Sequence, residues 1–365
     1  MSGNPYKRLA ERLNALPNGF PATPDGAELR LLEKLFTTEE ADLAAELRLS
    51  LETPQQIASR LSQTSSIEID PEFLGQQLKS MTRKGLIAAG RVDGNLGFGL
   101  MPFVVGIYEM QIDRVDAELA RLFEDYYLQA FGQTLTTQPA LHRVVPIGES
   151  IRMDMEVQPF ESASEIVNQA QAWGVTDCIC RVQKSLIGEP CDHPVDVCMI
   201  LSRRVNAFEN HPTIRALDRE GALATLRRAA KAGLVHSVSN NRQDITYICN
   251  CCTCSCGILR GMADLGIANV IARSPFVNQV DESLCVGCQD CLDFCQFDAL
   301  SLQEEIAFVD QTKCVGCGVC VPACPEGALI LARRSPEEIL PIPATESDWR
   351  FQRASARGMD LNNVL

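Results

Sequence analysis

Apolar residues near the start of the chain recur at the spacing of amphipathic helices. The first such stretch begins at Ala27, and its apolar side chains are Leu29, Leu31, Leu32, Leu35 and Phe36. A second helix is predicted from Thr38, because Glu39 and Glu40 suit the positive end of a helix dipole. Residues 1–25, which are rich in proline and glycine, predict an irregular lead-in.

Helix-start signals continue as far as a predicted hairpin. The segment Thr53–Gln56 has threonine as the cap, proline at the first helical position and glutamine at the third. Another helix is predicted over Pro71–Lys84, and Gly85–Asn95 predicts a strand that enters a turn. Helices followed by a hairpin predict a winged-helix-like module. A single long helix is then predicted over Gln111–Gln133.

The middle of the chain alternates between helical and loop-like patterns. Ser162 and Glu165 form a capping-box pattern that predicts a helix as far as Trp173. Further on, a helix is predicted over Glu220–Ala232, a strand over 234–238 and a short helix over Ile258–Leu265. The segments between these elements are predicted to be loops.

Composition and charge narrow the class of protein. The chain has 365 residues, 46% of them hydrophobic, and a net charge of −14. Apolar stretches such as Leu100–Tyr108 are shorter than the roughly 20 residues of a membrane helix, and the first residues lack a secretory pattern. We therefore expect a cytoplasmic protein. No segment is net basic, which disfavours nucleic-acid binding, and residues 281–334 are strongly acidic, which suits a basic protein partner.

The 17 cysteines indicate metal binding. All of them lie between Cys178 and Cys324, in Cys-x-Cys and Cys-x-x-Cys clusters. A disulfide scaffold is typical of a small secreted domain, whereas clustered cysteines in a chain without an export signal favour metal. The number is also odd, so complete pairing is impossible.

A 29-residue repeat contains the most specific pattern. The two copies are Cys285-x2-Cys288-x2-Cys291-x3-Cys295 and Cys314-x2-Cys317-x2-Cys320-x3-Cys324-Pro325. Three close thiolates on a tight loop can reach one iron–sulfur cubane, while the short helix that follows turns the fourth thiolate away. Structural zinc is the alternative, and the doubled spacing disfavours it.

Residues 275–334 resemble the bacterial two-cluster ferredoxin. The resemblance implies two [4Fe-4S] clusters with crossed fourth ligands. Cluster 1 would be held by Cys285, Cys288, Cys291 and Cys324, and cluster 2 by Cys314, Cys317, Cys320 and Cys295. One departure is Gln296, which stands where the pattern has proline and removes no ligand.

These observations predict an α+β protein with three main parts. These are a winged-helix-like N-terminal module, a loop-rich cysteine-containing middle domain and a C-terminal ferredoxin-like dicluster domain built from a βαβ repeat. The predicted boundaries are 1–25 for the lead-in, 26–110 for the module, 111–150 for the long helix and linker, 151–274 for the middle domain, 275–334 for the dicluster domain and 335–365 for a flexible, proline-rich tail.

Nine cysteines remain outside the repeat, with no fixed ligand assignment. They are Cys178, Cys180, Cys191, Cys198, Cys249, Cys251, Cys252, Cys254 and Cys256. Two further cubanes would bring the total to four clusters. One cluster with spare thiols, a zinc site and a non-cubane centre are the alternatives. Adjacent Cys251 and Cys252 cannot easily bind the same cubane, because successive side chains diverge, so the run is predicted to serve two centres.

Polar residues near these cysteines have two interpretations each. His193 could bind iron, although a hydrogen-bonded loop histidine is the favoured interpretation. The arginines that could offset cluster charge are Arg181, Arg203, Arg204, Arg227 and Arg228. For Arg227 and Arg228, which lie on a predicted helix, a solvated surface position is favoured.

The wider chain is similar to a group of multicluster iron–sulfur proteins. The residues that carry this resemblance are Pro102–Glu109, the Cys-x-Cys-Arg segment at Cys178 and the Cys-Asn-Cys-Cys run at Cys249. The resemblance implies electron transfer.

We therefore predict a protein or subunit that relays single electrons to or from a partner redox enzyme, with residues 1–110 as a docking or oligomer contact. The sequence leaves open whether the chain is itself an enzyme. The alternatives are a catalytic oxidoreductase with a substrate-binding cluster within residues 178–256 and an iron–sulfur-sensing winged-helix transcription regulator.

Overall fold

The computed structural model describes residues 3–65, 68–152 and 155–365, which fall into two compact units. Residues 1–137 with 350–365 form one, here called the N-terminal unit, and residues 138–349 form the other, here called the cysteine unit. Helices and strands occur together in the chain, as expected for the α+β class. The predicted boundary near residue 275 does not separate compact units, because both cysteine-containing parts belong to the cysteine unit.

The N-terminal unit is mainly helical. Its α-helices up to residue 126 are Pro5–Asn14, Ala27–Leu35, Thr38–Ala45, Pro54–Ser65, Pro71–Arg83 and Ala117–Tyr126. The cap predicted at Thr53 is present: its amide donates to Gln56 Oε1 at 2.7 Å, and the Gln56 amide donates to Thr53 Oγ1 at 3.3 Å. The strands Ala88–Val92 and Asn95–Gly99 form the predicted hairpin. The order of helices and hairpin agrees with the prediction, while the winged-helix assignment itself stays a prediction.

Two predictions for this unit are wrong. The lead-in is not irregular, because Pro5–Asn14 is a helix capped by the Asn4 side chain, and Leu9 and Leu13 are buried. The helix predicted over Gln111–Gln133 begins only at Ala117, where Asp116 caps it. The prolines of residues 1–25 favoured a prediction of irregular structure where the helix Pro5–Asn14 lies. The helix predicted from Gln111 starts later because a tight turn precedes Asp116.

The tail is ordered, contrary to the prediction of a flexible segment. It contains the helix Glu346–Ala356, and Arg353 of that helix is fully buried in the N-terminal unit. The Arg353 guanidinium donates to the carbonyls of Pro17 at 3.0 Å, Thr134 at 2.7 Å and Thr137 at 2.5 Å. These bonds join the end of the chain to segments near residues 17 and 135.

The cysteine unit contains a six-stranded antiparallel sheet. In spatial order the strands are His142–Val144, Val235–Ser239, Tyr247–Cys251, Cys198–Ser202, Ala172–Thr176 and Arg215–Leu217. The middle domain is therefore less loop-rich than predicted. The helix that starts at Ala163 ends at Gln169, and Trp173 lies in a strand, because Ala172–Thr176 pairs with Cys198–Ser202.

Helices pack on this sheet to form its apolar core. The core includes Ile166 of the helix Ala163–Gln169, Leu226 of the helix Arg219–Lys231 and Ile248 of the sheet. The other helices of the unit up to residue 293 are Ile179–Leu186, Arg260–Ala263 and Asp290–Asp293. Helix Ile179–Leu186 follows Cys178 directly, so the sheet and this helix together position the middle cysteines.

The C-terminal cysteine repeat is built on two strand pairs. Leu300–Gln303 pairs with Ile306–Val309, and Phe276–Val280 pairs with Leu329–Arg333. Arg333 also forms an ion pair with Glu161 at 2.7 Å, which joins the repeat to the segment before the sheet helix Ala163–Gln169. Among the described residues, no helix is long and apolar enough to cross a membrane.

Two buried histidines on the sheet predict that acid destabilises the cysteine unit. Burial lowers the pKa of His142 and of His236 from 6.5 to about 4. Between pH 6.5 and pH 4, the histidines of the unfolded chain bind protons but those of the folded chain do not. The folded state therefore becomes less stable as the pH drops below 6.5. We expect a loss of about 2 kcal/mol per histidine between pH 7 and pH 5, measured as the free energy of unfolding of the holoprotein.

Glutamine variants provide the control for this prediction. His142→Gln keeps hydrogen-bonding capacity without a titrating group, so its stability is expected to vary less over the same pH range. His211 is exposed, and His211→Gln should retain the pH dependence of the unaltered protein. An unchanged pH dependence in His142→Gln would contradict the prediction.

Candidate metal centres

The cysteines of the repeat form two groups, each of which draws one member from the other copy. Cys285, Cys288, Cys291 and Cys324 line one cavity. Burial, together with the charges of Cys324, Cys288 and Cys285, raises the pKa of Cys291 to about 11. Such mutual repulsion between thiolates is relieved when they bind a metal centre.

The second group consists of Cys314, Cys317, Cys320 and Cys295. Burial is the largest cause of the raised pKa of Cys317, about 12, and the charges of Cys314 and Cys295 add to it. The pKa of Cys320 is also raised, by burial and by the charges of Cys317 and Cys295. The structure thus brings together both sets that the resemblance implied, while their binding of iron stays a prediction.

Backbone amides point at the sulfurs in both copies of the repeat. The Ala299 amide donates to Cys295 Sγ at 3.3 Å, and the Ala328 amide, at the equivalent position, donates to Cys324 Sγ at 3.2 Å. Gly316 has a φ of +70°, and a Cβ there would lie 2.1 Å from the Phe276 carbonyl oxygen. Amides donating to thiolates and glycines at tight loops suit a bound iron–sulfur cluster.

The two groups differ in their access to solvent. Cys288 of the first group is exposed, and the neighbouring Val286 is 66% exposed. Cys314, Cys317 and Cys320 of the second group are all buried. The first group therefore has an exposed member, whereas the second is more buried, with only Cys295 partly accessible.

Residues 284–328 match the family model of the 4Fe-4S dicluster domain. No curated protein matches the chain. The cysteine unit therefore contains an iron–sulfur, ferredoxin-like domain, and this dicluster domain supports a role in electron transfer. The matched residues include all eight cysteines of the two groups.

Six of the other nine cysteines meet in a second place in the unit. They are Cys178, Cys180, Cys198, Cys249, Cys251 and Cys256, here called the six-cysteine group, and their thiols interact by hydrogen bonds. Cys249 and Cys251 point to the same face of their strand because they are two residues apart. Cys180 and Cys198 hydrogen-bond to Cys178 and hold its pKa well below the usual value.

A buried arginine lies against these thiols. Arg181 is 2% exposed, and its Nη2 donates to the Asn250 carbonyl at 2.7 Å and to Cys252 Sγ at 3.6 Å. Its Nε and Nη1 have no partner within the described residues. Burial opposes its charge, but the thiols of Cys178 and Cys252 outweigh burial and raise the Arg181 pKa. A negatively charged, thiolate-bound centre would suit these two buried nitrogens.

The last three cysteines assemble with a histidine, here called the Cys3His site. The ligand atoms of Cys191, His193, Cys252 and Cys254 all lie within 4.8 Å of one another. A hydrogen bond with Cys252, opposed by burial, raises the pKa of His193. Adjacent Cys251 and Cys252 thus lie in different groups, which is the arrangement that the sequence predicted for a run serving two centres.

The other predicted arginines lie on the surface. Arg227 pairs with Glu149 at 2.7 Å, and Arg228 pairs with Asp196 at 2.6 Å, as favoured for these two. Arg203 is exposed and pairs with Asp244 at 3.0 Å, and Arg204 is exposed as well. These contacts leave Arg181 as the predicted arginine that the structure places against cysteine sulfur.

Gln296 joins the dicluster domain to the six-cysteine group. It follows Cys295 directly, and its Oε1 accepts a hydrogen bond from the Thr253 amide at 2.7 Å. Its Nε2 donates to the carbonyl of Gly233 and, at 3.5 Å, to that of Cys251. The sequence shows that glutamine replaces proline at this position. The hydrogen-bond partners of Gln296 are distant along the chain, so the sequence could not identify them.

Asn278, which was not predicted from the sequence, lies against one of the candidate cluster ligands. Its Nδ2 donates to Cys320 Sγ at 3.1 Å, and the residue is buried. The position 29 residues later, Ala307, has no side chain that could make the equivalent bond. Among the residues that the structure describes, the second group alone of the dicluster domain accepts a side-chain hydrogen bond at this position.

We expect Asn278→Leu to make one reduction potential of the dicluster domain more negative. A donor to thiolate sulfur stabilises the more negatively charged, reduced state. If the hydrogen bond stabilises the reduced state by about 1 kcal/mol more than the oxidised state, its loss lowers the reduction potential by about 40 mV. The measurement is an EPR-monitored redox titration. Gln279→Leu, on the exposed side of the same strand, is the matched control, and equal shifts in both variants would contradict the assignment.

Proposed function

We propose that this chain relays single electrons between a basic protein partner and metal centres held by its own cysteines. Bound [4Fe-4S] clusters would supply one-electron redox chemistry. The two groups of the dicluster domain and the six-cysteine group would hold them. The observation that carries the proposal is the Gln296 bridge, because it connects two thiolate groups within one unit.

The bridge is short and is made of backbone and one side chain. Cys295 is bonded through the chain to Gln296, whose amide contacts the carbonyl of Cys251 in the six-cysteine group. The Thr253 amide holds the other end of the same side chain at 2.7 Å. The Gln296 side chain therefore bonds to the segment that carries Cys251 while its backbone is joined to Cys295.

Exposure suggests which end meets the partner. Leu284 and Val286 are 47% and 66% exposed beside the solvent-facing group, and exposed acids flank them. We define this docking surface by Glu282, Leu284, Val286, Asp290 and Glu326. Apolar residues within an acidic surface suit a basic partner, because long-range attraction accelerates encounter and apolar contact slows dissociation.

Metal and redox analysis of anaerobically purified protein tests the centres. We expect about 8 irons from the dicluster domain, matched by acid-labile sulfide, and about 4 more if the six-cysteine group holds a cubane. Dithionite reduction should give EPR signals broadened by spin coupling between neighbouring centres. Protein without iron and sulfide would contradict the proposal.

Electron transfer to cytochrome c, used as a basic one-electron acceptor, tests the docking surface. The rate of electron transfer from the reduced protein to cytochrome c should fall as ionic strength rises. At low ionic strength, the double variant Glu282→Lys with Glu326→Lys should transfer electrons more slowly than the unaltered protein. Glu209→Lys, an exposed acid outside the dicluster domain, is the matched control. A rate that is insensitive to salt and to the double variant would exclude this surface as the docking site.

A further inference from the structure

We propose that Cys191, His193, Cys252 and Cys254 bind a single zinc ion, separate from the iron–sulfur centres. Cys191 and His193 lie on the loop that follows the helix Ile179–Leu186. Cys252 and Cys254 follow the strand Tyr247–Cys251 directly. This inference goes beyond the electron relay, because zinc has no redox chemistry.

The spacing of the ligand atoms favours a single ion. All four lie within 4.8 Å of one another. Zinc bound at about 2.3 Å from sulfur places tetrahedral ligands about 3.8 Å apart. A cubane has a separate iron behind each thiolate, so its cysteines must spread further. Within the described part of the chain, no three cysteines of the dicluster domain have sulfur atoms that all lie within 4.8 Å of one another.

The donor set favours zinc over a single iron. Three cysteines and one histidine make up one of the common ligand sets of structural zinc. Borderline-soft thiolate and imidazole ligands suit Zn²⁺, which also binds such sites more tightly than Fe²⁺. His193 Nδ1 lies 3.7 Å from Cys254 Sγ, so a ring nitrogen already borders the thiolates.

Neighbouring groups complete the surroundings that such an ion needs. Ser255 Oγ donates to Cys191 Sγ at 3.3 Å, and Arg181 Nη2 donates to Cys252 Sγ at 3.6 Å. Three thiolates around Zn²⁺ leave a net charge of −1, which the Arg181 guanidinium offsets. Donors of this kind orient metal ligands and increase metal affinity.

The zinc would act as a clamp on the six-cysteine group. It would join two loops whose ligands, Cys191 and Cys254, are far apart in sequence. Members of the six-cysteine group lie close in sequence to the zinc ligands. Cys251 and Cys256 are on either side of Cys252 and Cys254, and Cys198 is five residues after His193. Metal binding by residues that are distant in sequence contributes folding free energy. The ion would therefore fix the ends of the loops that carry neighbouring thiols.

Metal analysis and zinc K-edge X-ray absorption of the anaerobic holoprotein test the proposal. We expect about one zinc per chain that survives gel filtration with a mild chelator, with three sulfurs at about 2.3 Å and one nitrogen at about 2.0 Å. His193→Ala should reduce bound zinc at least tenfold while the EPR signals of the dicluster domain persist. His211→Ala, at an exposed histidine, should retain zinc.

His193→Cys keeps a zinc-binding donor set and guards against loss of folding. Its zinc should show four sulfurs and no nitrogen at short distance. An unchanged spectrum in His193→Cys, zinc bound by oxygen and nitrogen only, or iron in place of zinc would each overturn the proposal. Because the readout is zinc, these failures are distinct from a failure of the electron relay, which would appear in the iron and sulfide content.

Discussion

Replacing Arg181 with leucine is expected to destabilise the holoprotein by about 3–5 kcal/mol, the usual cost of removing one partner from a buried ionic contact. The guanidinium is the buried positive charge that the structure places against Cys252 and the thiols of the six-cysteine group. Without it, the negative charge of metal-bound thiolates remains uncompensated. Anaerobic thermal unfolding should show a large decrease in Tm, and the reduction potential of the neighbouring centre should become more negative.

Arg203→Leu is the matched control for this prediction. Arg203 belongs to the same unit but forms an exposed pair with Asp244. Exposed ion pairs contribute about 0–1 kcal/mol, so the control should unfold almost as the unaltered protein does. If both variants lose the same stability, Arg181 has no special role beside the thiols.

Replacing Cys320 with alanine is expected to remove about four irons per chain and one component of the redox titration. Cys320 is buried and accepts a hydrogen bond from Asn278, so no solvent ligand can easily replace its sulfur. Cys295→Ala should abolish the same component, because the structure groups Cys295 with Cys320 although it belongs to the first copy of the repeat.

The choice of control makes this experiment a test of the crossed arrangement. Cys291→Ala should abolish the other component, and Val319→Ala, which removes only buried methyl groups beside Cys320, should keep full iron content. If Cys295→Ala and Cys291→Ala abolish the same component, each copy of the repeat holds its own cluster and the crossed assignment is wrong.

Local signals predicted part of this fold well. The cap at Thr53 and the helix Pro71–Arg83 depend on residues close together in sequence, so the pattern alone located them. The three closely spaced cysteines of each copy could be predicted for the same reason, whereas the crossed fourth member of each set was implied by the resemblance to the two-cluster ferredoxin. Trp173 was misplaced because strand pairing with the segment from Cys198 to Ser202 overrode a helical pattern.

The middle cysteines depend on long-range contacts that the sequence does not reveal. Cys178 meets Cys198 because Thr176 pairs with Cys198 across two strands. The division of Cys251 and Cys252 between two groups could be predicted, since successive side chains diverge. Which distant residue joins each of them could not, and neither could the partners of Gln296.

The position of Arg353 has a consequence for how the protein is made. Its guanidinium donates to the carbonyls of Pro17 and Thr134, which precede it in the chain by 336 and 219 residues. Arg353 is synthesised after both of these segments, so their carbonyls must bond to water until Arg353 has left the ribosome. Truncation just before Arg350 should therefore leave an early-synthesised region prone to proteolysis, even though all 17 cysteines have been translated.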